Sequence, residues 1–276
     1  MLNSNFLALN ILLFRNELNN MRNNDMYIPI LKIKKIDSEM NAKFIANYLS
    51  KEKKENTTRP FYDKTIDLFP ELACINDIDN EIERNAFIKD VVINHLQEND
   101  TIITERMEHF KKVFDSFIYQ NIEAQCKLFK YEWNEKYPEI KCYVGYLPFY
   151  PRSAEDKCFF VSYQDEERVF SGAVHEINHM IFGEKWKEMF EIKNSEPSFP
   201  DPLWYLEEII VDPTLNDERV KKFTLYENRA YPQFYVKKTD GLSIMDKVKE
   251  CYEIYKDDIT VFMKEAFKII MSEDVG

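Results

Sequence analysis

Ala173-Val174-His175-Glu176-Ile177-Asn178-His179-Met180 is the stretch that orients the reading of this chain. Residues four apart on an α-helix share a face, so His175 and His179 can grip one cation there, with Glu176 beside them to reach a water on it. That pairing is the HExxH pattern of zinc sites, and it requires residues 173–180 to be helical. Phe170, Val174, Ile177 and Ile181 form an apolar stripe next to the histidines, which puts the pair at the border of a buried face. Asp165, Glu166 and Glu167 suit the start of this helix, where carboxylates meet the positive end of the dipole. Gly183 predicts its stop.

Upstream of the helix, residues 141–149 and 158–163 are rich in aromatic and β-branched side chains, with a polar, proline-bearing loop between them. They are expected to be an antiparallel strand pair, and an exposed edge there would offer main-chain groups to an extended peptide. Residues 27–33 read as an edge strand because Pro29 interrupts the run. Apolar spacing predicts a helix capped by Ser38, a second over 79–96, a long third over 101–136 ended by Pro138, and a last over 241–271. His95 and His109 fall within these helices without a partner motif and are expected to be structural or surface histidines rather than ligands. The expected fold class is α+β, mostly helical, with a zincin-like core and a small, largely antiparallel sheet preceding the HExxH helix. The expected organisation is an N-terminal, mostly helical region over 1–100 with one short strand, and a catalytic domain over 101–276.

Composition removes several alternatives. Of 276 residues 45% are hydrophobic, enough for a sizeable core. There are only five glycines, under 2% where about 7% is usual, too scattered for a phosphate-binding glycine loop. The net charge of -12 repels nucleic-acid phosphates, so no nucleic-acid partner is expected. Five cysteines with no CxxC spacing argue against a disulfide scaffold and for a reducing, cytoplasmic setting, although Cys142 and Cys158 could face each other across a hairpin. The apolar run over 6–14 is too short to span a bilayer, which needs about twenty residues, and is expected to pack on the body rather than to act as a secretion signal.

Two histidines leave a catalytic zinc in need of a third protein ligand and an open position for water. Downstream lies Trp204-Tyr205-Leu206-Glu207-Glu208-Ile209-Ile210-Val211-Asp212. Glu208 and Asp212 are four apart, so one carboxylate could bind metal while the other orients a histidine.

HExxH followed by this glutamate, with an aspartate four residues on, resembles the gluzincin group of zinc metallopeptidases, the thermolysin-like and aminopeptidase-like enzymes. The likeness covers residues 169–213. It implies His175, His179 and Glu208 as zinc ligands, Glu176 as general base and Asp212 as the outer partner of a histidine. Three features depart from the group: Ile209 stands where a small residue is usual, Glu207 is a second carboxylate beside the ligand, and Pro213 disfavours helix at Asp212. No histidine follows His179, so the three-histidine metzincin pattern is excluded.

The resemblance implies a zinc-dependent peptidase acting on a peptide or protein substrate through metal-activated water. Tyr226, Tyr231 and Tyr235 are candidates to stabilise the oxyanion. The alternatives are a zinc hydrolase of a non-peptide bond and a catalytically silent zincin scaffold that binds or regulates.

Overall fold

The computed structural model describes residues 26–50, 60–191 and 196–273. The apolar run over 6–14 lies outside them. The chain is mostly helical with one small sheet, as expected for α+β. Strand β1 (Ile30–Lys35) is followed by helices α1 (Ser38–Tyr48), α2 (Phe61–Leu68), α3 (Glu81–Glu98) and α4 (Asp100–Phe129). Strands β2 (Glu139–Gly145), β3 (Arg152–Ser153) and β4 (Cys158–Ser162) come next, then the long helix α5 (Glu166–Phe190). Short helices α6 (Pro202–Ile209), α7 (Val211–Leu215) and α8 (Glu218–Lys221) lead to the closing pair α9 (Ile244–Tyr255) and α10 (Ile259–Ser272).

The sheet order is β1-β2-β4-β3, and it is not the antiparallel sheet expected. β2 runs parallel to both β1 and β4, and only the two-residue β3 is antiparallel to its neighbour. An alternating apolar pattern is unchanged when strand direction is reversed, so periodicity cannot distinguish the two arrangements. The loop over 146–157 makes the difference: instead of turning back as a hairpin, it crosses over and lays β3 on the outer edge of β4. β4 is buried at all five positions, as a central strand should be. β1 is an edge strand, as Pro29 suggested. Because β1 pairs with β2, the sheet crosses the boundary expected near residue 100, and one apolar cluster runs from Ile28 to Ile270.

Several helix ends differ from the expected ones for local reasons. Asp37, not Ser38, caps α1, its side chain accepting from Met40 N. α4 stops at Phe129 because Lys130 turns left-handed (φ 49°) and its N–H returns to the Cys126 carbonyl; Trp133 is buried beyond the helix. α5 does not stop at Gly183 but continues to Phe190, held by Trp186, whose ring packs 5.1 Å from that of Phe267. The last segment is two helices rather than one, since Asp258 breaks the run and caps α10 through Val261 N. His95 is structural, stacked 3.9 Å over Tyr146, and His109 pairs with Glu166 at the surface. Cys142 and Cys158 lie on neighbouring parallel strands, and both thiols are free. Among the described residues no helix is long and apolar enough to cross a membrane.

Candidate metal centre

Helix α5 carries the HExxH residues through the middle of the molecule. Asp165 caps it by accepting from Arg168 N, and from Ala173 to Phe182 only His175 escapes full burial. Asn178 fixes the helix laterally, donating to Gln125 Oε1 of α4 (3.0 Å) and lying 3.2 Å from Thr214 Oγ1 of α7. α6 crosses nearby. Asp201 caps it and Pro202 occupies its first turn, so the chain enters helix just ahead of Glu207 and Glu208. Both glutamates are buried, at 2% and 6% exposure, where an ionised carboxylate survives only with partners.

Three donors converge. His175 Nε2 and His179 Nε2 lie 2.7 Å apart, and Glu208 Oε2 lies 3.4 Å from the first and 3.5 Å from the second. Tetrahedral coordination with bonds of about 2.0–2.1 Å would separate donors by about 3.3 Å, which the two glutamate distances match and the histidine pair undercuts. Glu208 Oε2 is buried with no aligned hydrogen bond in the protein, an acceptor that a cation would satisfy. Burial opposes charge on both His175 and Glu208, yet each is overruled by the other: Glu208 raises the imidazole, and the two histidines hold Glu208 well below the usual carboxylate range. Burial, then the Arg152 charge, pushes His179 well below its ordinary value and keeps it neutral, the form that ligates. The residues fit a metal ion. His175, His179 and Glu208 are the one such cluster among the described residues.

Glu176 stands beside this triangle at 10% side-chain exposure. Its Oε2 accepts from Arg152 Nη1 at 3.2 Å. Burial lifts its pKa above the ordinary value although Arg152 and His175 act against the rise. His175, Glu176 and Glu208 share a wall of a cavity of about 720 Å³, whose other walls include Tyr48, Phe149, Trp204 and Tyr231. A second cavity of about 620 Å³ reaches His179 and Glu207 from the far side.

The aspartate expected behind a histidine is engaged elsewhere. The chain breaks at Ile210 between α6 and α7, so Glu208 and Asp212 do not share a continuous helix face, and Pro213 falls harmlessly in the first turn of α7. Asp212 accepts from the Tyr235 hydroxyl and from Asn216 Nδ2 (3.2 Å), and pairs with Lys249 (2.8 Å). The carboxylate facing His179 Nδ1 is Glu207, with Oε1 at 3.4 Å.

Sequence reasoning missed Arg152. It sits on β3 with its guanidinium against Glu176, Glu207 and Glu196. Burial alone would lower its pKa, but Glu207 and the other carboxylates raise it further. No spacing rule links it to the motif; an arginine in a polar loop gives no signal until the loop becomes the sheet edge. Burial pushes Glu207 up to about 8, against the pull of Arg152 and with that of Glu208 and Glu196. Of the three tyrosines, Tyr235 is committed to Asp212 and Tyr226 lies outside the cavity walls, whereas Tyr231 lines the larger cavity. No family model, curated protein or solved structure matches the chain.

Proposed function

We propose that the protein is a zinc-dependent peptidase of gluzincin type, acting on a peptide or protein substrate in a reducing, cytoplasmic setting. The observation that carries this reading is the convergence of His175 Nε2, His179 Nε2 and Glu208 Oε2 on the wall of a large cavity, with Glu176 on the same wall. Zinc held by these three residues would supply Lewis-acid polarisation of the scissile carbonyl and make water more acidic.

The remaining chemistry belongs to the side chains. Glu176 is the general base: Arg152 holds its Oε2, so Oε1 takes a proton from water and later delivers it to the leaving amine. The raised pKa of Glu176 suits both halves of that transfer. Glu207 Oε1 lies 3.4 Å from the outer nitrogen of His179 without an aligned hydrogen bond, and would orient that imidazole once the histidine ligates. Tyr231 is the candidate donor to the developing oxyanion. The outer edge of β3 runs past both cavities, where its main-chain groups could pair with an extended substrate.

The test combines metal content with turnover. The purified protein should hold about one zinc per chain, and Glu176→Gln should keep the zinc while peptide-library hydrolysis falls by about 10²–10⁴-fold. A Glu176→Gln enzyme that cleaves at the parent rate would overturn the assignment. The Arg152 contact to Glu176 favours a second reading, a metal-binding scaffold without turnover, which predicts full zinc and no cleavage in the parent protein.

A further inference from the structure

Arg152 holds three carboxylates that are not equivalent. Glu207 and Glu176 come from helices α6 and α5 and have side chains 2% and 10% exposed; Glu196 comes from a stretch without regular structure and is 29% exposed. The bonds to Glu207 and Glu176 are aligned hydrogen bonds from Nη2 and Nη1. The third is not. Glu196 Oε1 lies against Arg152 Nε, yet that buried N–H has no aligned acceptor. The other oxygen of Glu196 accepts from Ala154 N at 3.0 Å, just past the last paired residue of β3. A guanidinium edge and a main-chain N–H thus cradle one carboxylate, and the occupant is the least buried of the three. Glu196 and Ala154 line the second cavity, together with His179 and Glu207, whereas Arg152 lines the first, so the cradle lies between the two cavities beside the candidate metal centre.

We propose that Arg152 Nε and Ala154 N–H form a carboxylate-binding subsite, and that Glu196 is a stand-in which a ligand carboxylate displaces. The exchange conserves charge at Arg152, because one anion leaves as another arrives, and Glu176 and Glu207 keep their bonds. On the peptidase reading, on which this inference rests for its substrate class, the ligands are peptides that present either a free C-terminal carboxylate or an acidic side chain.

The test measures binding rather than turnover. Full-length protein, treated with chelator so that no metal can capture the carboxylate, is titrated calorimetrically with N-acetyl-glycyl-phenylalanine, with its C-terminal amide, and with N-acetyl-glycyl-glutamic acid α-amide, whose one free carboxylate is the γ-carboxylate. The same titrations are run on Glu196→Gln, a half-buried position whose folding is checked by its thermal melt. The free acid should bind at least 10-fold more tightly than the neutral amide, and Glu196→Gln should tighten the acid by about 10-fold while leaving the amide unchanged. If only the glutamate probe shows this behaviour, the subsite stands and its source is an acidic side chain. Acid, glutamate and amide probes that bind alike, or an acid affinity indifferent to Glu196→Gln, would overturn the subsite. Absence of peptidase activity leaves a positive binding result standing, and a peptidase that takes amidated and free peptides equally retains its activity while losing the subsite.

Discussion

Glu207 and Glu208 are adjacent, chemically identical and both buried, yet the structure gives them different work. Glu208 Oε2 faces both histidine Nε2 atoms, while Glu207 faces the outer nitrogen of His179 and is held by Arg152. Removing an orienting carboxylate typically lowers metal affinity about 10–100-fold. Glu207→Ala should stay within that range and Glu208→Ala should exceed it, as measured by zinc competition against a chromophoric chelator; equal losses would reassign the third ligand. The sequence named both carboxylates, and only the resemblance singled out Glu208 as the ligand. Neighbouring residues on a helix point about 100° apart, so the choice depends on how α6 is rotated against α5, which is a matter of packing.

At the scale of elements, two contacts fix how the framework around the site is assembled. Asn41 of α1 bonds both the N–H (2.9 Å) and the carbonyl (3.0 Å) of Tyr146, and this brings its Oδ1 and Ile36 over Gly145 at the end of β2. A Cβ there would collide with Asn41 Oδ1 and lie 2.6 Å from Ile36 Cγ2. Gly145→Ala should therefore cost about 1–3 kcal/mol in chemical denaturation, the usual penalty of overpacking. Near α8, burial opposes ionisation of Asp217, but hydrogen bonds from Arg219 and from the Tyr252 hydroxyl of α9 outweigh it and hold the carboxyl at about 2, below its ordinary 3.8. A carboxyl depressed in the folded state contributes stability that is complete above about pH 4 and is lost as pH falls toward 2. Discounted for partial exposure, the contribution is about 1–2 kcal/mol. Asp217→Asn should lose that much at neutral pH, match the parent near pH 2, and show a flatter stability profile between. Helices α3, α4 and α5 were legible from apolar spacing because their buried faces repeat. Their ends were not, since Lys130 closes α4 through a left-handed turn and Trp186 carries α5 past Gly183 by packing on Phe267, contacts that spacing does not encode.

For the whole molecule, binding at a site assembled from α5 and α6 should stabilise the fold that brings those helices together. Zinc at about 100 times its Kd would add about 2.7 kcal/mol, which for a chain of this size raises Tm by roughly 5–10 °C. Calorimetric melts with zinc and with chelator measure this shift, and His179→Ala should abolish it; a shift that survives the substitution would place the metal elsewhere. The sequence by itself determined the mostly helical α+β class, the helix bearing His175, Glu176 and His179, and the acidic pair from which Glu208 joins the cluster. Those features are local: a 3.6-residue period and an i, i+4 spacing describe one face of one helix wherever it packs. Only the tertiary structure decided that the sheet is mostly parallel, that Asp212 turns toward Tyr235 and Lys249, and that Arg152 arrives on an edge strand to bind Glu176, Glu196 and Glu207. Strand direction and long-range ion pairs are set by which surfaces bury together, and alternation along a single strand is the same read in either direction.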